Sequence, residues 1–335
     1  MHLTLSSIFL ASFAAATLCA PQVCNGHAEL CGLKYSNVSH VGAHNSAFVG
    51  DLPQDNQDVS VPAQLDAGIR FLQSQTQKDI FGTLSMCHTS CFLRYAGSLE
   101  SYLSTIKTWL DAHPNEVLTL LLTNGDNVDI SMFDTAFTDS DLKKYAFVPA
   151  THPATLGMDS WPTLQELISS GKRLVTFLGT YHAPFPSSPP FSLLSLDFRR
   201  AMHLVAARLN QIPSADYGAD HSQVPYLLDE FAYFFETPFD TTDPAFPQCD
   251  LDRPAKAKPD GRMYIVNHFL DINIDGILIP DHPDDTNTNA ATGTGSIGAQ
   301  VDLCTQKYGR RPNFVLVDFF DQGDVFTAEK RLNGL

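Results

Sequence analysis

Short strand-like runs, several of them continuously apolar, recur along the chain, and they restrict its fold more than any other feature. Six read as strands: Ser39 to Ser46, Ile69 to Gln75, Val117 to Thr123, Arg173 to Leu178, Met263 to Leu270 and Asn313 to Phe319. Stretches such as Leu120-Leu121-Leu122 and Val315-Leu316-Val317 show no polar alternation, as expected of parallel strands covered on both faces. Helix-like segments lie between them. Ser98 stands where an N-cap belongs, Leu99, Leu103, Ile106 and Leu110 follow near helical spacing, and Pro114 stops the pattern. Thr163 to Lys172 and Ile297 to Tyr308 read the same way, the second ending at Gly309. Strand, helix, strand in alternation gives an α/β protein, either a barrel or an open doubly wound sheet. No glycine-rich phosphate fingerprint follows any strand, which disfavours the open sheet. At 335 residues and 44% hydrophobic content the chain has ample material for a deep core.

Charge excludes one broad class of partner. The 21 basic residues against 37 acidic ones give a formal charge of -16, a field that repels a phosphate backbone, so no nucleic-acid partner is expected. The same field disfavours docking on strongly anionic membranes. Met1 to Ala20 carries an apolar run ending in small residues and reads as a secretory signal. No later stretch reaches the roughly 18 apolar residues of a membrane span. Without Cys19, six cysteines remain. They can pair in about 15 ways. Local closure suggests Cys24 with Cys31, Cys87 with Cys91 and Cys249 with Cys304. No Cys-x-x-Cys pair favours a zinc site. Asn37-Val38-Ser39 is a glycosylation sequon in keeping with export.

Two stretches break the α/β order. Pro280 to Ser296, rich in Asp, Thr, Asn and Gly, reads as a polar surface connection. Thr180 to Ala215 opens on a Pro/Ser cluster and then turns basic and apolar through Arg199, Arg200 and Arg208, unlike its acidic surroundings.

Three constellations could carry chemistry. Ser39 to Ser46 places His44 and Asn45 at the end of a first strand, where a barrel builds its site. Met86 to Cys91 holds His88 between two cysteines able to clamp a short loop. Asp318 emerges from a buried apolar strand, and a carboxylate there is costly unless paired. Two histidines across a cleft can act as base and acid in phosphoryl transfer to a neighbouring hydroxyl.

In their order and context these segments resemble the X-domain of phosphatidylinositol-specific phospholipase C, in the branch of secreted fungal PLC-like phosphodiesterases. The likeness runs through Ser39 to Ser46, Gly68 to Gln75, Met86 to Cys91, Trp109 to Val117 and Asn313 to Phe320. It implies a single domain over 21–335, folded as a distorted TIM-type (β/α) barrel with its site at the C-terminal strand ends. It implies a base at His44, an acid at His88 and an orienting carboxylate at Asp318. Attack of a neighbouring hydroxyl on a phosphodiester would then give a cyclic phosphate and a free alcohol. Substrate contacts fall to Asn45, Gln73, Gln75 and Arg94.

The departures concern charge. Bacterial members have an aspartate where this chain has Asn45 and an arginine where it has Gln75. The acidic ligands of calcium-dependent relatives fall on Gln73, Gln75 and a position near Thr123. No metal or cofactor is therefore expected, and Lys78 or Arg94 could supply the missing cation. A catalytically inactive barrel that binds a phosphorylated ligand or a glycan is the alternative. Further expectations are a phospholipid or other phosphodiester substrate, transient contact with a membrane surface, a monomer and an extracellular location. In this branch the fourth strand runs directly into a segment like Asp216 to Asp220, so the insert at 180–215 reads as intron sequence translated in frame, which sequencing the transcript would test.

Overall fold

A computed structural model describes residues 22–180 and 221–335. The signal segment and nearly all of the insert lie outside the described residues. The staves of the barrel are β1 (His40–Ala43), β2 (Phe71–Lys78), β5 (Leu118–Asn124), β6 (Leu174–Thr180), β7 (Leu227–Asp229), β8 (Phe234–Glu236), β9 (Met263–Asn267) and β12 (Phe314–Val317). They form one curled sheet in the order β7-β6-β5-β2-β1-β12-β9-β8, every pairing parallel. First and last strands are neighbours, as a barrel requires. The gap between β7 and β8 has a covalent explanation. Only the four residues of a helical turn, Glu230–Tyr233, separate them, whereas a return crossover takes about a dozen. The two are successive pieces of one interrupted stave, paired first with β6 and then with β9, and this break is the distortion of the barrel. Outside the ring, β3 (Leu84–His88) folds back antiparallel on β2 and β4 (Arg94–Ser98) on β3. A second hairpin, β10 (Asp271–Ile274) with β11 (Ile277–Pro280), follows β9.

The apolar runs are buried on both faces because each face has its own core. Val41, Ala43, Leu72, Leu118, Leu120, Leu122, Val315 and Val317 pack outward, against helices such as α1 (Val61–Ala67) and α2 (Leu99–Ala112). The alternate residues Phe71, Leu121, Phe314 and Leu316 fill the barrel with Tyr35, Trp161, Phe177 and Phe234. This period of two fixes the site in advance. His44 shares the inward parity of His40 and Gly42, Asp318 that of Phe314 and Leu316, and Gln73 and Gln75 that of Phe71. The predicted helix begins as expected, with the Ser98 side chain accepting from the Ser101 N–H. The expected Pro280–Ser296 loop is corrected in part: it contains a helical turn, Asp285–Thr288, and Asp285, Thr288, Asn289 and Ser296 are buried. Its polar residues are needed inside, where Asn289 donates to the carbonyls of Asp318 and Phe319. The three expected cysteine pairs form.

Gly42 marks the closest approach in the barrel. A β-carbon there would lie 2.4 Å from Phe71 Cδ1, a ring that is itself fully buried. Gly42→Ala should therefore cost about 1–3 kcal/mol through overpacking, read as a lower midpoint in urea with an unchanged m-value.

Candidate active site

His44 leaves the C-terminal end of β1 with its backbone N–H on the Val317 carbonyl, so β1 and β12 deliver it together with Asp318. The imidazole Nδ1 lies 2.8 Å from Asp318 Oδ1. The second carboxylate oxygen accepts from Asn56 Nδ2 at 3.0 Å. With both oxygens partnered, Asp318 can be 2% exposed without an orphaned charge. The Nδ1–H donation leaves the lone pair of His44 on Nε2. The ring lies flat on Phe269, centroids 3.8 Å apart and planes at 4°, which fixes its orientation from the other side.

Asn45 takes a left-handed conformation, φ 48°, tolerated by Asn, and its N–H donates to Gln73 Oε1 at 2.8 Å. The turn aims its side chain away from His44 and toward His88, Nδ2 to Nε2 3.2 Å. His88 closes β3, level with this turn, and its Nδ1–H donates to the Gln54 carbonyl at 2.8 Å. Burial depresses the His88 pKa to about 4. The charges of His44 and Arg94 push the same way, while the bond to Gln54 and the carboxylate of Asp55 oppose them. Asn45, the residue after His44, meets the His88 ring, so the two imidazoles stand close enough for the charge of His44 to act on His88. In the free protein His88 is therefore neutral at pH 7, its Nε2 accepting from Asn45. The Asn45 amide oxygen has no hydrogen-bond partner. A flip of that amide would offer the oxygen to a protonated Nε2, so Asn45 can match either charge state of His88.

The remaining expected residues take different places. Gln73 and Gln75 point inward, but their amide oxygens are engaged by the backbone N–H groups of Asn45 and Thr89. Neutral, and already accepting, they do not fit as ligands of a calcium ion. Arg94 sits beside His88 without being free: its guanidinium donates to Asp55 Oδ1 at 2.5 Å, the Val49 carbonyl at 2.8 Å and the Tyr95 carbonyl at 3.1 Å. His40, in the same motif as His44, faces Asn25 and Glu329 in the interior.

Several residues of the site escaped the sequence reading. Asn56, Asp55 and Gln57 belong to the run Gln54-Asp55-Asn56-Gln57-Asp58, which looks like a solvated loop, yet these three are 2%, 1% and 0% exposed. Five consecutive polar residues, beginning eight positions after the first motif ends at Ser46, were the available signal. Beyond His44, Asp271 is pushed up to about 8 and Asp285 to about 9, first by burial and then by the charge of Asp318. Asp240 feels both His44 and Arg253, and Arg253 is ion-paired with the buried Glu236.

Known proteins share this architecture. The family model described as PI-PLC X 1 matches residues 30–189 and 188–333. A PI-PLC X domain-containing protein 1 of Arthroderma benhamiae is 52% identical over 336 residues, covering 99% of this chain and 97% of that one. An uncharacterized secreted protein of the same fungus is 39% identical, covering 93% of this chain and 64% of that one. Among solved structures, the phosphatidylinositol-specific phospholipase C from Listeria monocytogenes superposes with a TM-score of 0.52 at 15% identity, covering 90% of this chain and 97% of the other, which speaks for the fold. With the family model matching along nearly the whole length and a relative above half identity, this chain belongs to the PI-PLC X-domain family.

Proposed function

We propose that the protein is an extracellular phosphodiesterase that cleaves a phosphatidylinositol-like substrate by internal transfer. His44 Nε2 takes the proton of a hydroxyl next to the phosphodiester, whose oxygen attacks phosphorus. The bond to the leaving oxygen breaks as His88 gives it a proton from Nε2, leaving a cyclic phosphate and a free alcohol. Asp318 holds His44 in the useful tautomer and balances the imidazolium formed. The observation that carries this reading is that Asp318 orients His44 while the next residue, Asn45, meets His88 Nε2, so that two imidazoles oriented by separate partners stand side by side. Export is supported by the N-terminal segment, the three disulfides and the secreted relative. The sequon residue Asn37 is exposed and open to a glycan.

The neutral amides of Gln73 and Gln75 favour a second reading, a barrel that binds a phosphorylated ligand without cleaving it. Assay of the secreted protein on phosphatidylinositol, with and without chelator, separates the two. Formation of an inositol cyclic phosphate supports catalysis. Binding of a phosphodiester without turnover supports the silent barrel.

The low pKa of His88 gives a further expectation. An anionic phosphodiester beside the ring raises that pKa, so the complex takes up a proton the free protein lacks. Affinity for a non-hydrolysable phosphonate analogue should thus strengthen as pH falls from 7 toward 4, by up to about tenfold per pH unit for one proton. Calorimetry in two buffers of different ionisation enthalpy measures the uptake. His88→Gln should lose the His88 share of it.

A further inference from the structure

A positive φ is uncommon outside Gly, Asn and Asp, and on a β-branched or bulky residue it persists only where the surroundings over-determine it. His44, His88 and Asp318 are each followed directly by such a residue: Asn45 at φ 48°, Thr89 at 59° and Phe319 at 40°. Among the described residues Thr89 is the only β-branched one with positive φ. The Ser90 N–H closes on the His88 carbonyl at 2.6 Å, so Thr89 is the centre of a γ-turn of the rare, strained hand. These turns swing each side chain off its strand end, and whatever holds the turn aims the side chain. For Phe319 the hold is main chain, its N–H donating to the Asn56 carbonyl at 2.8 Å. Asn45 and Thr89 are held by β2 instead. Gln73, Gln75 and Gln77 alternate along that strand and share one face. Gln73 Oε1 accepts from the Asn45 N–H at 2.8 Å, and the Gln73 carbonyl accepts from the next N–H, that of Ser46, at 2.8 Å. Gln75 Oε1 accepts from the Thr89 N–H at 3.1 Å while Gln77 Nε2 donates to the Thr89 carbonyl at 2.8 Å, so both main-chain polar groups of Thr89 end on glutamine side chains. Ladder pairing does not reach this far. Between β2 and β3 it ends at Thr76 with Met86, two residues before His88.

We infer that Gln73 and Gln75 are positioning residues, whose side-chain oxygens pin the left-handed turns after His44 and His88 and thereby fix the directions of base and acid. This rests on the reading of those two histidines as base and acid, and it gives the uncharged face of β2 a role other than touching the phosphate. Gln77 completes the clamp on Thr89. One residue must there be met by an acceptor and by a donor, which a pair of amides supplies and a pair of carboxylates does not. The clamp also keeps the His88 ring from water. Burial is the chief cause of its low pKa, with His44, Asp55 and Arg94 as the charged groups around it.

Kinetics on phosphatidylinositol and nuclear magnetic resonance of the His88 ring test the clamp together. Gln75→Met keeps the length of the side chain and removes the acceptor, so kcat should fall about 10²-fold, the scale of a misplaced catalytic group, with KM nearly unchanged. Gln73→Met, which frees the Asn45 turn, should show the same split. Gln75→Glu restores an acceptor and should keep kcat within about threefold of wild type or better. Thr89→Gly added to Gln75→Met removes the steric cost of positive φ and should recover about fivefold or more in kcat. The His88 pKa, about 4 in the free protein, should rise toward the ordinary histidine value in Gln75→Met as the ring meets water, and the added glycine should bring it back. The clamp is refuted if Gln75→Met raises KM and spares kcat, which would make Gln75 a substrate contact. It is refuted equally if Gln75→Glu is as slow as Gln75→Met, if the glycine recovers nothing, or if His88 titrates alike in wild type and Gln75→Met. Should the titration shift as expected while the wild type cleaves no phosphatidylinositol, the phosphodiesterase reading falls and the clamp stands. A wild type that cleaves, matched by Gln75→Met in kcat and in titration, does the reverse.

Discussion

His44→Ala should reduce turnover of phosphatidylinositol by about 10²–10⁴-fold, the usual scale for removing a positioned general base. The variant should still fold, because the His44 side chain is partly open to solvent and its backbone N–H keeps the Val317 carbonyl. His88→Ala should give a comparable loss, and the double variant little more than the worse single one, since base and acid act in one transfer. The measurement is initial rate of cyclic phosphate release, with circular dichroism to verify the fold. Equal residual rates in wild type and both single variants would sink the two-histidine mechanism, with the architecture unaffected.

Asp318→Asn is the second large effect, expected at about 10²–10⁴-fold in kcat, as for loss of the carboxylate behind a catalytic imidazole. The carboxylate accepts twice, from His44 Nδ1–H and from Asn56 Nδ2. An amide can accept from one of these and must present its NH₂ to the other. If the NH₂ faces His44, the ring must carry its proton on Nε2 and loses the basic lone pair. If it faces Asn56, that amide must turn, and its unpartnered Oδ1 allows this. The tautomer then survives, but the imidazolium formed during transfer lacks its counter-charge. Either route lowers kcat with the fold intact, and nuclear magnetic resonance of the His44 ring nitrogens distinguishes them. A variant with wild-type kcat would mean that Asp318 merely packs.

The bulk of the architecture was legible in the chain because barrel strands advertise themselves. Covered on both faces, they must be apolar throughout, and the helices between them must show a periodic stripe and a stop. The site was legible where a motif sits at a strand end: His44, Asn45 and Asp318 follow directly from β1 and β12. The short strands β7 and β8 were not readable, since three residues carry no period, and the helical turn between them makes sense only as a break in one stave. Asn56 and Phe269 were equally hidden, because a polar loop residue or a phenylalanine looks the same in sequence whether it faces water or the Asp318–His44 pair.

By itself, then, the order of residues determined the alternating architecture, the strand-end positions of His44 and Asp318, and the local closure of Cys24 with Cys31 and of Cys87 with Cys91, all of which depend on neighbours a few positions apart. Tertiary structure alone decided that Gln73 and Gln75 turn their oxygens to backbone amides, that Arg94 is bound by Asp55, and that His88 loses its proton near pH 4. Those properties come from desolvation and from groups brought together across 14 to 39 positions of sequence, and no local pattern records which distant group will stand opposite a side chain once water is gone.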